Sequence, residues 1–92
     1  MKHQQLGNTF VLLLSTGERI IESVTAFCKE KSISAAQFTA LGAMKEAELG
    51  FYNLETKTYK WKKANAELEI DNITGNVALF DGEPLVHAHA TV

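Results

Sequence analysis

The chain has one cysteine, one proline and only a small surplus of acid among its 92 residues. Each shortage excludes something. A single thiol, Cys28, cannot close an intrachain disulfide, so a reducing cytosol is the expected compartment. No segment approaches the ~18 consecutive apolar residues of a membrane-spanning helix. Met1 to Gln5 leads into only a short apolar run, Phe10 to Leu14. A signal-peptide core needs a longer run and a small-residue cleavage site. The protein is therefore expected to be soluble and cytoplasmic, with no membrane partner. Nine basic residues face eleven acidic ones, for a net charge of −2 and a pI near 5.9. A free-standing duplex-binding module usually shows a basic face and a high pI. The lone proline, Pro84, is far from any arginine, so there is no Arg-Gly-Arg-Pro hook for the minor groove. There is also no phosphate-binding glycine loop, no cysteine pair for zinc and no serine nucleophile elbow.

What is present reads as an ordinary globular chain, 46% hydrophobic and 22% charged, which argues against disorder. Its length suits a single domain spanning residues 1–92. Thr9 to Leu14 is a continuous apolar run, expected as a strand buried on both faces. Ser15 and Glu18 have capping-box spacing. Beyond them Ile20, Ile21, Val24, Phe27 and Cys28 recur with helical period. That pattern predicts a helix from about Thr16 to Lys31, with Cys28 as a small buried hydrophobe rather than a nucleophile.

Strands are expected at Ala35–Ala43, ended or bent by Gly42, and at Ala47–Tyr52. Thr58 to Lys62 alternates strictly, with Tyr59 and Trp61 on one face and lysines on the other. It should form a hairpin with the preceding strand, its aromatics pairing across the strands. Lys57, Lys60, Lys62 and Lys63 make the one dense basic cluster, read as the solvated side of that hairpin. Glu67 to Ile70 and Ile73 to Phe80 form a further strand, with a bulge or bend near Asp71-Asn72. Asp81-Gly82 is a strong turn signal, and Leu85 to Val92 is the last strand. One early helix and about six strands make an α+β domain, the helix packed on a mainly antiparallel sheet.

The last strand carries the one feature that looks like chemistry. Side chains alternate along a strand, so His87 and His89 share a face, about 7 Å apart at the backbone. Both ring nitrogens can reach one metal ion, yet two histidines supply only half of a tetrahedral zinc set. Taken alone, a His-x-His pair is more often structural or merely exposed. Glu67 and Glu69 are carboxylates of the preceding strand that could complete the set. Glu69 is the better candidate, because Leu68 and Ile70 mark its strand as partly buried; its alternative is an exposed strand residue. His3 falls in a terminus expected to fray and is given no role.

Several segments resemble the plants-and-prokaryotes conserved (PPC) domain. These are Gly17-Glu18 opening a helix, Ala35-Ala36 leading to Leu41-Gly42-Ala43, Leu49-Gly50-Phe51-Tyr52, and Glu69 followed by Gly75-Asn76. The strongest is Asp81-Gly82-Glu83-Pro84-Leu85-Val86-His87-Ala88-His89-Ala90. The similarity runs in order over nearly the whole chain. It implies a prokaryotic stand-alone member, one helix against an antiparallel sheet, and assembly as a trimer. It also implies a fold similar to that of acetolactate decarboxylase, a zinc enzyme using a His-x-His pair and a later histidine. His87 and His89 match the pair. The third histidine of the family lies in a Gly-Gly-His segment beyond Val92, so by this comparison the chain lacks the family's C-terminal strands. Plant members accompany AT-hooks in nuclear DNA-binding proteins. Three readings follow. The first is an oligomeric, non-catalytic domain with a partial zinc site and a DNA-associated regulatory role. The second is a zinc-dependent enzyme acting on a small carbonyl or hydroxy-acid substrate. The third is direct DNA binding, which the net charge disfavours.

Overall fold

A computed structural model describes residues 1–92 as one helix and five strands. In chain order these are β1 (Lys2–Leu6), β2 (Thr9–Leu13), α1 (Ile20–Glu30), β3 (Ala36–Asn53), β4 (Thr58–Phe80) and β5 (Glu83–Thr91). β1 and β2 form a two-stranded sheet; β3, β4 and β5 form a second in that order. Within each sheet neighbouring strands are joined by short connections, so the class is α+β with antiparallel pairing. The chain divides into two compact units, Met1–Gln37 with Gly75–His87, and Phe38–Thr74 with Ala88–Val92.

In the first unit, β1 pairs antiparallel with β2 from Lys2↔Leu13 to Leu6↔Thr9. This corrects two expectations. The N-terminus does not fray: the His3 ring lies 5.1 Å from that of Phe27, and the terminal ammonium meets Glu18 Oε1 at 2.6 Å. The apolar run is not buried on both faces either. Phe10 and Leu12 turn inward, while Val11 and Leu13 remain 56% and 66% exposed. The reason is that β2 pairs with a polar strand in a ribbon of two, and Phe27 of α1 meets only one side of it, edge-on to Phe10 at 5.0 Å.

The helix starts four residues later than its spacing predicted. Ser15 and Glu18 do interact, Ser15 N–H donating to Glu18 Oε2 at 2.7 Å and Glu18 N–H to the Ser15 carbonyl at 3.1 Å. They close a turn ahead of the helix and do not cap it. Gly17, at φ 95°, takes the chain through the left-handed region and off the helical path. The N-cap is Arg19, extended and without a side-chain cap. The C-terminus follows a Schellman pattern. Ser32 sits at φ 55°, Ile33 N–H donates to the Cys28 carbonyl at 2.8 Å, and Ser32 N–H to that of Lys29 at 3.3 Å. Val24, Phe27 and Cys28 are the buried side chains of the helix, and Val77 of β4 is the unit's other buried apolar side chain.

The second unit is built on the β3–β4 hairpin. Its loop is an Asx turn: Asn53 Oδ1 accepts from Glu55 N–H at 2.9 Å and Thr56 N–H at 3.1 Å. Lys57 N–H then closes the loop onto the Asn53 carbonyl at 2.8 Å. Four expected strands are two here, because neither Met44-Lys45-Glu46 nor Lys63-Ala64-Asn65-Ala66 contains a glycine or proline to interrupt pairing. β3 also runs through Gly42 without ending. What changes is the phase of burial. Along β4, Leu68 and Ile70 turn inward, then Ile73, Gly75 and Val77. The inward set slips by one across Asp71-Asn72, the effect of one extra residue in a strand. The buried apolar residues of this unit are Ala47, Ile70 and Ile73.

Candidate metal-binding strand and exposed aromatic face

β5 begins at a turn and an exposed ion pair in the first unit. Asp81 and Gly82 lie at φ 51° and 78°, the two positive values of the hairpin turn that Asp-Gly favours. Lys29 Nζ, in the last turn of α1, meets Glu83 Oε2 at 2.9 Å. Along the strand Pro84, Val86 and Ala88 are half-buried, while Leu85, His87 and His89 are exposed. The histidines therefore occupy the exposed alternation of β5, as their spacing implied. Two imidazoles are donors that suit zinc and neighbouring first-row ions, so the pair fits half of a metal's needs.

Glu69 lies in the second unit. It is exposed between half-buried Leu68 and buried Ile70. It lines an open hollow of about 430 Å³ with Leu41, Gly42, Ala43, Ile70 and Asp71. No three histidine, cysteine, aspartate or glutamate side chains are grouped as a metal set. A second hollow, of about 280 Å³, lies in the first unit along Cys28, Ser32, Leu79 and Pro84. Cys28 is 6% exposed, and its burial pushes the thiol above its ordinary pKa. That keeps it protonated and unreactive.

The hairpin carries a feature whose full extent the alternation of Tyr59 and Trp61 did not convey. Tyr52 meets Tyr59 edge-on across the strands at 5.0 Å. Tyr59 stacks on Trp61 at 5.5 Å, with 21° between the rings. The Trp61 ring lies over Gly50, where a β-carbon would come within 2.7 Å of it. Between residues 47 and 64 the buried or half-buried side chains, Ala47, Leu49 and Ala64, belong to the other alternation, with Lys60 and Lys62. The aromatic face is thus the outer one, with Tyr52, Tyr59 and Trp61 exposed by 49%, 55% and 60%.

The sequence model of the Plants and Prokaryotes Conserved domain, abbreviated PCC or PPC, matches residues 1–92. The chain belongs to this family. Its fold matches a candidate DNA-binding protein of Bacteroides thetaiotaomicron with TM-score 0.94 and 32% identity, over 98% of this chain and 63% of that one. A metal-containing protein of Archaeoglobus fulgidus is 36% identical with TM-score 0.81, over 84% of this chain and 55% of that one. A PPC protein of Pyrococcus horikoshii is 35% identical with TM-score 0.80, over 84% of this chain and 54% of that one. This PCC chain thus spans less than two thirds of each of these relatives. No curated protein sequence matches it. No helix of the PCC fold here is long and apolar enough to cross a membrane.

Proposed function

We propose that residues 1–92 act as a single PCC-type domain in a cytoplasmic, non-catalytic homo-oligomer that holds a metal ion, zinc by expectation, on His87 and His89. The observation that carries this reading is the exposure of both histidines on one alternation of β5. The Archaeoglobus relative, 36% identical, is a metal-containing protein. When bound, zinc would act as a structural cross-link. The chain's own part is to present two imidazoles from a strand that follows the Asp81-Gly82 turn. Glu69, water or a second copy would supply the remaining donors. Exposed apolar side chains, among them Leu13 at 66% and Phe80 at 65%, support association, and the family resemblance favours a trimer.

Metal analysis of the purified protein tests the site. Zinc is expected to co-purify, and His87→Ala or His89→Ala should each weaken zinc affinity by at least about tenfold, as even outer-shell losses do. If no metal co-purifies and neither substitution alters the affinity for added zinc, the metal reading fails. Mass in solution tests the oligomer, and a monomer would refute it. DNA-associated regulation draws on the Bacteroides relative. Duplex binding at low salt that weakens steeply with added salt is expected, and no binding at low salt would remove this part.

A further inference from the structure

We infer that two copies of this chain pair along the outer edges of their β5 strands and complete one four-histidine zinc site between them. This rests on the metal reading of His87 and His89, and it names the donors that reading leaves open. Three observations carry it. The first is the incomplete set. A tetrahedral zinc site takes four ligands, and no third histidine, cysteine, aspartate or glutamate of the chain is grouped with the pair. The second is the edge. In the sheet order β3-β4-β5, β5 has a neighbour on one side only. Its other side presents backbone N–H and C=O groups to which another strand can pair. Edge strands are ordinarily guarded by charged side chains. β3, the other edge, carries Lys45, Glu46 and Glu48, whereas Pro84 to Val92 carries no Lys, Arg, Asp or Glu.

The third is symmetry. Two identical edges that pair antiparallel are related by a two-fold axis normal to the sheet. Both copies then turn the same alternation to the same side, and directly opposed residues share a face. The numbers of two opposed residues therefore have an even sum. Centred on Ala88, the pairing sets His87 against His89 of the second copy, and His89 against its His87. Two strand rises, about 7 Å, and a cross-strand spacing of about 5 Å gather four imidazoles on the exposed alternation of β5. On the opposite side Val86 meets Ala90 and Ala88 meets its own counterpart, small residues that leave the edges room to approach. Centring on His87 or His89 would instead oppose a histidine to Leu85 or Thr91 and split the set.

The full chain is stripped with a chelator and titrated with zinc while bound metal and mass in solution are followed. Zinc should saturate at one ion per two chains, and the mass should double from whatever value the stripped protein has. His87→Ala and His89→Ala should each abolish the doubling. Ala88→Cys tests the register. Opposed Cα atoms lie within the ~4.4–6.8 Å that a disulfide spans, so glutathione disulfide should link the zinc-loaded variant into covalent pairs. Thr91→Cys, roughly 20 Å from its counterpart in this register by six strand rises, should stay unlinked. Cys28 is buried and does not compete. Zinc bound at one ion per chain with the mass unchanged overturns the inference and leaves the metal reading standing. Linking of Thr91→Cys as fast as Ala88→Cys also overturns it. A stripped chain that binds no zinc removes the metal reading, and this inference with it.

Discussion

Phe27 is where three elements of the first unit meet. It is 3% exposed, edge-on to Phe10 of β2 at 5.0 Å and tilted against His3 of β1 at 5.1 Å. Phe27→Ala removes a buried ring, which typically costs about 3–5 kcal/mol in transfer and cavity terms. Part of that is the edge-on pair, worth ~0.5–1.5 kcal/mol beyond its area. A chain of this length has a total stability of about 5–14 kcal/mol, so the substitution takes a large share of it. It should lower the thermal midpoint by at least ~12 °C, at 4–8 °C per kcal/mol for a domain this small. Phe27→Leu keeps the apolar contact and should cost only about 1–2 kcal/mol. The assay is denaturant and thermal unfolding of both variants beside the parent, at one protein concentration so that association does not bias the comparison. A loss below ~1 kcal/mol for Phe27→Ala, the scale of a surface change, would refute the idea that Phe27 holds the helix to the β1–β2 ribbon.

Glu18 is held below the ordinary carboxylate range by its hydrogen bond to the N-terminal ammonium and by the Ser15 N–H. A lowered folded-state pKa stabilises above the ordinary carboxylate pKa, and that contribution is lost as pH falls through the lowered value. Glu18→Gln should therefore flatten the acid limb of a stability–pH profile, and an unchanged limb would count against the ion pair. Cys28, buried and with its thiol pushed up, should react with iodoacetamide at least about tenfold more slowly in native protein than in denaturant; equal rates would show the helix face to be open. In β4, Ile73→Ala should cost about 2–4 kcal/mol, while Asn72→Ala stays within ~0.5 kcal/mol. The reverse order in chemical denaturation would mean that the inward set has not slipped at Asp71-Asn72.

Parts of this fold were legible because one residue type carried the signal. The stripe through Val24, Phe27 and Cys28 marked the helix, and Asp81-Gly82 marked the turn before β5. The remaining elements depended on partners that no local window contains. Lys2 to Leu6 has no strand pattern of its own; it is a strand because β2 offers it a register and Phe27 offers His3 a ring. Ser15 and Glu18 had the right spacing for a cap and made part of its hydrogen bonding, yet Gly17 between them turned the same contacts into a loop. β3 was read as two strands where its inward residues change parity near Lys45-Glu46; β4 was read as two with a gap at Lys63–Ala66, while its slip at Asp71-Asn72 was read as a bend within one strand. A slip in phase and a break between strands look alike in sequence. They separate only when pairing carries on across the slip.

The functional surfaces divide along the same line. Period two alone places His87 and His89 on one face of β5, since nothing else is needed to decide which side of a strand a residue occupies. The identity of further metal donors is a question of register between distant segments or between chains, and spacing along one strand holds no information about that. Glu69 illustrates the difference: the same alternation makes it exposed, and its neighbours in space are Leu41, Gly42 and Ala43, about thirty positions away in sequence. The aromatic face lies between these cases. Tyr59 and Trp61 were visible as an alternation, and a half-exposed antiparallel strand ordinarily turns its rings inward. Here Ala47, Leu49 and Ala64 take the more buried alternation, and the large rings are exposed on the other. Gly50 leaves the Trp61 ring room that a β-carbon would fill. A glycine beside a tryptophan across the strands, as Gly50 stands to Trp61, is the signal that would have found it.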